Sequence, residues 1–151
     1  MLIDENNVKF SPGSHPDMVA DGNSTVYPCA HFCNNLSTGG QTDWYMPAKN
    51  ELEVVYFNLK PTTASNNTSS GINPNSVPAR ASDYTAGTPA QTTAAAFITS
   101  TGAEAFTDAI YWTSTDFSST AARGQYFSSG RQYYHGKDNS LRVRAVRRVA
   151  V

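Results

Sequence analysis

The sequence predicts an α+β domain. Three observations predict it: helical periodicity confined to the first sixty residues, strand-like runs confined to the last forty or so, and a long polar tract between them. Helices first and strands afterwards is the order of an α+β fold, whereas βαβ units would interleave the two. A length of 151 residues suits one domain with a core of useful size.

Residues 1–25 read as an N-terminal extension. Pro12, Gly13, Pro16 and Gly22 punctuate it, and Val8 to Phe10 suggest one short strand. Pro28 suits the first turn of a helix, where its missing N–H costs nothing. Cys29, Phe32, Cys33 and Leu36 then mark one face at i, i+3, i+4 and i+7, with Gly39-Gly40 as the stop. Trp44 and Met46 lie in a short link closed by Pro47. A second helix opens at Ala48-Lys49-Asn50-Glu51, puts Leu52, Val55, Tyr56 and Leu59 inward, and ends at Pro61. Residues 61–92 are a polar tract, and a structureless loop of that length is uncommon unless it is functional or packs on itself. A short helix is expected near Ala94 to Ile98. Strands follow at Ile110 to Ser114, at Gln125 to Phe127 with a turn at Ser128-Ser129-Gly130, and from Leu141 to Val151 with a slip in alternation near Ala145.

Charge is sparse, at 15% against roughly 25% in an average globular protein. Ser, Thr, Asn, Gly and Tyr take its place, a palette suited both to irregular structure and to binding loops. The net charge of −1 divides unevenly, with about −7 in residues 1–120 and +6 in residues 121–151. A basic segment can meet an acidic partner, but the plainer expectation is pairing with the acidic N-terminal part. No Lys/Arg run accompanies a nucleic-acid motif, so nucleic acid is not an expected partner. No stretch is apolar enough to insert in a membrane. Cys29 and Cys33 share a helix face, where a disulfide would be strained, so buried free thiols are expected.

Several segments together resemble one family: residues 39–52 around Trp44 and Pro47, then Tyr111-Trp112-Thr113-Ser114-Thr115, Phe127-Ser128-Ser129-Gly130, and Val143-Arg144-Ala145-Val146-Arg147. In this order they are similar to the Lcl C-terminal family of phage tail proteins and bacterial surface adhesins. The resemblance runs from about residue 26 to the end. It implies a C-type-lectin-like fold related to formylglycine-generating enzymes, with two short helices beside a twisted antiparallel sheet and long irregular loops. Residues 26–151 would then be the recognition domain, 1–25 an extension packed on it, and 61–92 a loop insertion. Residues 124–137 also resemble the variable region of proteins diversified by retroelements.

The resemblance implies a receptor-binding module at the tip of a phage tail fibre. Its partners would be a host cell-surface protein or glycan and other tail subunits, with a homotrimer expected from fibre architecture. The alternatives are a bacterial surface adhesin domain binding acidic glycans, and a structural decoration domain without a ligand. The binding residues are expected at Arg131, Gln132, Tyr133, Tyr134 and His135, between Gly130 and Gly136. Two adjacent tyrosines in a glycine-bounded loop cannot both face a core, although an ordinary hairpin with one packed Tyr remains the plain alternative. Asp116, Phe117 and Ser118 form a neighbouring loop in which Phe117 is either an exposed anchor or a buried plug. Arg123, Gln125 and Asn139 are placed on the same face. Trp44, Trp112 and Phe127 are assigned to the core, and Asp43 to a structural pair or cap.

No metal or other cofactor is expected. His31 points away from the Cys29–Cys33 face of a helix, so Cys29-x-His31-x-Cys33 does not converge on zinc. The C-terminal third holds only Asp116 and Asp138 as carboxylate candidates for calcium. None of the three histidines, His15, His31 and His135, joins a recognised nucleophile motif, so no enzyme activity is expected.

Overall fold

The computed structural model describes residues 4–9, as backbone, and 19–149. The helices α1 (Pro28–Asn34) and α2 (Lys49–Leu59) precede most of a five-stranded sheet. The strands are β1 (Asp4–Lys9), β2 (Ile110–Asp116), β3 (Ala121–Tyr126), β4 (Gln132–Gly136) and β5 (Ser140–Arg144), in the spatial order β1-β5-β2-β3-β4. All neighbours are antiparallel except β2 and β5, which meet in parallel at Tyr111 and Arg142. This is the expected α+β class, but the sheet is mixed where an antiparallel one was expected, because β5 joins β2 in parallel. The strand expected at Val8 to Phe10 begins earlier, at Asp4, and Phe10 itself lies outside the described residues, as do Pro12, Gly13, His15 and Pro16.

The helices form where the periodicity placed them. In α1, Pro28 occupies the first turn and Cys29, Ala30 and Cys33 are buried; the helix stops at Asn34, two residues short of Leu36. The stop is not Gly39-Gly40. Both glycines instead have positive φ, +58° and +72°, in a tight turn closed between Thr38 and Gln41, a left-handed pair that glycine adopts at no steric cost. In α2 the Glu51 carboxylate accepts from the Ala48 N–H at 2.9 Å, one half of a capping box.

The sheet lies between two apolar clusters. Tyr111 and Trp112 are neighbours on β2 and so face opposite sides. Trp112 joins Cys29, Cys33, Trp44, Met46, Ala122 and Val143 beneath α1, whereas Tyr111 joins Leu52, Tyr56, Tyr84, Phe106 and Phe127 beneath α2. In the second cluster Phe106 stacks on Phe127 at 3.9 Å, and Tyr111 and Tyr56 meet Phe127 edge-on. Trp44, Trp112 and Phe127 are thus core residues, and both cysteines are buried free thiols. Val149, assigned to the last strand, is exposed; β5 ends at Arg144, and Val146 instead bridges Tyr45. Register shifts fall on β1, between Glu5 and Val8, and on β2, between Trp112 and Asp116, rather than at Ala145.

The polar tract 61–92 packs on itself and on α2. Glu53 is fully buried and accepts from Asn73 Nδ2 at 2.6 Å, from the Tyr84 hydroxyl at 2.6 Å and from the Arg80 guanidinium. Asn66 reaches the Tyr56 hydroxyl and the carbonyls of Thr85, Ala86 and Pro89, and Lys60 Nζ donates to the Pro89 carbonyl. The side-chain amides therefore do what ladder hydrogen bonds do in a strand: they satisfy buried backbone carbonyls.

Candidate binding site

Strand β4 lies at one edge of the sheet, next to β3. It is the segment expected to be a glycine-bounded loop, and it is a strand because Ala121 through Gln125 extend β3 far enough to pair with it residue for residue. Its tyrosines are exposed: Tyr133 and Tyr134 each retain 38% of their surface, and Phe117, in the turn from β2 to β3, retains 46%.

These rings form a ladder with a cation at each end. The Arg123 guanidinium sits 4.5 Å over Phe117, Phe117 stacks on Tyr134 at 4.1 Å and 3°, Tyr134 stacks on Tyr133 at 4.4 Å, and Arg131 lies 4.3 Å over Tyr133. Each exposed cation–π contact contributes about 0.5–1 kcal/mol and each aromatic pair about 0.5–1.5 kcal/mol. The ladder is therefore ordered before any ligand arrives, which lowers the entropic cost of binding. A hydrogen bond donated to Tyr133, and the proximity of that phenol, push the Tyr134 phenol above its ordinary range.

Beneath the ladder, His135 is half-buried against Trp112, Tyr126 and Tyr133. Burial first, and the Arg131 charge second, lower its pKa from 6.5. Its Nε2 is buried without a hydrogen-bond partner among the described residues, so His135 supports the rings from below. A shallow cleft of about 230 Å³ opens beside Arg123, lined also by Lys49, Ser69, Gly71, Asp83 and Gln132.

The model of the Lcl C-terminal domain family matches residues 13–147. The chain belongs to the Lcl C-terminal domain family. A search of curated proteins gave no match.

In this Lcl C-terminal domain the expected site residues other than His135 separate into three groups. Arg131, Tyr133, Tyr134, Phe117 and Arg123 converge on the ladder. Phe117 is an exposed anchor and not a plug. Asp116, Ser118, Gln132 and Asn139 hold the frame. Asp116 pairs with Lys137 at 2.9 Å, Ser118 Oγ accepts from the Ala121 N–H, the Gln132 N–H donates to Ser70 Oγ, and Asn139 closes the turn onto Gly136. Gln125 leaves the set altogether: it is fully buried, with Nε2 donating to the Gly130 carbonyl at 2.6 Å. It shares a face of β3 with Arg123, two residues earlier, but the turn at Gly130 takes up its amide, whereas Arg123 stays partly exposed.

Lys49, Ser69 and Asp83, which also line the cleft, carried no sequence signal toward binding. They reach the site only because α2 and the tract pack against β3 and β4, with Asn67 donating to the Ser129 carbonyl at 2.8 Å. The basic C-terminal segment is largely consumed by structure. Arg147 pairs with Asp43, Arg148 with Glu51 and Lys137 with Asp116, while Arg144 is buried over Phe106. Among the described residues no group of three or more His, Cys, Asp or Glu side chains is arranged to hold a metal ion, and no helix is long and apolar enough to cross a membrane.

Proposed function

We propose that this Lcl C-terminal domain is a non-enzymatic receptor-binding module with a C-type-lectin-like fold, carried at the tip of a phage tail fibre. The observation that carries the reading is the exposed, pre-stacked ladder Arg123–Phe117–Tyr134–Tyr133–Arg131. Exposed aromatic side chains flanked by arginines are the composition of binding hot spots, and a monomeric surface with no partner has little reason to leave three adjacent rings in water. Family membership supports the same class of function, since the sequence resembles the phage tail branch. The ligand is a host cell-surface protein or glycan that stacks on the rings, and several copies on a trimeric fibre raise a modest single-site affinity by avidity.

The alternative of an acidic-glycan adhesin working through the whole basic segment is less favoured, because Lys137, Arg147 and Arg148 already face carboxylates. A purely structural role is less favoured because the tract that would wrap a neighbour wraps its own domain. The test is binding of labelled domain to a panel of bacterial strains, beside a Tyr133→Ala/Tyr134→Ala variant matched in thermal stability. Strain-selective binding lost in the variant is the expected result. Binding that survives the double change rejects the ladder as the site. Absence of binding to every strain, even with the domain clustered on beads, rejects the receptor-binding reading.

A further inference from the structure

The backbone of β4 is only half used. The Arg131 carbonyl accepts from the Tyr126 N–H at 2.9 Å, and the Lys137 N–H donates to the Thr120 carbonyl at 2.9 Å. With the register Gly124↔Tyr133 and Ala122↔His135 between them, residues 131, 133, 135 and 137 direct their backbone groups toward β3, as alternation along an antiparallel pair requires. Residues 132, 134 and 136 direct theirs outward. Gln132 confirms the parity, since its N–H donates to Ser70 Oγ on the far side at 3.1 Å. The Tyr134 N–H and carbonyl therefore face the free edge of the sheet, and neither meets a partner among the described residues.

The cleft holding Gln132 lies at one end of that edge. Two cations line it, Lys49 and Arg123. Neither side chain forms an ion pair among the described residues; the Arg123 guanidinium rests on Phe117. Lys49 is half-buried, and burial first and the Arg123 charge second hold its ammonium below its usual pKa against the opposing pull of Glu53, while Asp83 is the one carboxylate in the lining of the cleft.

Resting on the receptor-binding reading above, we propose that the receptor is a protein, and that it presents an extended acidic segment which adds to β4 at Tyr134 and places a carboxylate between Lys49 and Arg123. An extended peptide supplies an N–H and a carbonyl at the spacing the Tyr134 edge requires, which a saccharide does not. Side chains on one face of a strand recur every second residue, about 7 Å apart. An Asp or Glu two positions from the residue opposite Tyr134 thus reaches the cleft at Gln132. A second copy of this chain is a poor occupant, because antiparallel pairing of β4 with itself around Tyr134 would bring Arg131 against Lys137.

The experiment is a nuclear magnetic resonance titration of ¹⁵N-labelled domain with a blocked peptide of sequence Thr-Val-Asp-Val-Thr, its Asn counterpart, and methyl glucuronide. The expected result is a saturable downfield shift and slowed hydrogen exchange of the Tyr134 amide with the Asp peptide. Binding of the Asn peptide should be weaker by about fivefold, the worth of one partly exposed ion pair. In a Lys49→Met/Arg123→Met variant the two peptides should bind alike. Absence of any saturable shift, or equal binding of the Asp and Asn peptides to the unaltered domain, overturns the proposal. So does perturbation of Lys49 and Arg123 by methyl glucuronide with the Tyr134 amide unmoved by peptide, which would assign the cleft to sugars. If the titration fails while strain-selective binding still depends on Tyr133 and Tyr134, only this inference falls; failure of both removes the receptor-binding function as well.

Discussion

Replacing Glu53 by Ala should unfasten the polar tract from the rest of the domain. The carboxylate is fully buried on α2 and is shared by three donors drawn from the tract: Asn73, Arg80 and Tyr84. Burial, then the bond to Glu53, pushes the Tyr84 phenol far above its ordinary range, so the tyrosine is a donor at every accessible pH. Removing one partner of a buried ion pair costs about 3–5 kcal/mol, because the other is left uncompensated. Here the Tyr84 hydroxyl is stranded as well, the Asn73 amide keeps only the Asn50 carbonyl, and Ala itself adds no helix penalty. Against a typical total of about 5–15 kcal/mol, the loss is a large fraction of the stability. Urea unfolding followed by far-ultraviolet circular dichroism measures it, and limited proteolysis within residues 61–92 reports whether the tract opens first. A Glu53→Gln variant, which keeps acceptor and shape but not charge, should lie between the two. A loss under about 1 kcal/mol with unchanged cleavage in the tract would refute the argument that Glu53 anchors it.

Gly130→Ala should be strongly destabilising, since φ is +73° and a Cβ there would lie 2.2 Å from Cε1 of the buried Tyr56. Left-handed strain of about 1–2 kcal/mol and overpacking of about 1–3 kcal/mol add in the same direction, and a thermal melt reads the result. His135 gives a pH dependence. Its pKa is lowered in the fold, so the unfolded chain takes up the proton first, and stability falls as pH drops through 6.5; His135→Phe should flatten that part of the profile between pH 7.5 and 5, compared by urea midpoint with the parent. Cys29 and Cys33 should resist a thiol reagent in the native domain and react together on unfolding, because both are buried, and burial, with Cys29 alongside, pushes the Cys33 thiol up. The exposed Arg147–Asp43 pair should matter little: Asp43→Ala is expected to leave the midpoint of the same urea transition nearly unchanged.

The helices and the core were legible because a periodic apolar pattern is a local property. Cys29 and Cys33 sit one turn apart and share the α1 core. Leu52 and Tyr56 do the same on α2, and Trp44, Trp112 and Phe127 lie in short apolar runs that have nowhere else to go. Strand β4 was not legible. Gln132-Tyr133-Tyr134-His135-Gly136 has no alternation, since at the sheet edge both tyrosines remain exposed while Gln132, His135 and Gly136 are partly buried. Gln125 was misplaced for a related reason. A buried glutamine looks like a surface residue until the Gly130 carbonyl it satisfies is in view.

For this protein the sequence by itself determined the class of fold, the two helices, the buried thiols and the neighbourhood of the aromatic patch, because each follows from residue type and spacing along the chain. It also carried the family, through motifs spread over residues 39–147. Only the tertiary structure decided that Arg123 and Phe117 from β3 and its preceding turn stack with Tyr133 and Tyr134 from β4. It alone decided that the tract 61–92 folds onto a single buried carboxylate, and that Lys49 arrives beside Arg123. Those arrangements depend on strand register and on contacts between residues tens of positions apart, which no local pattern encodes.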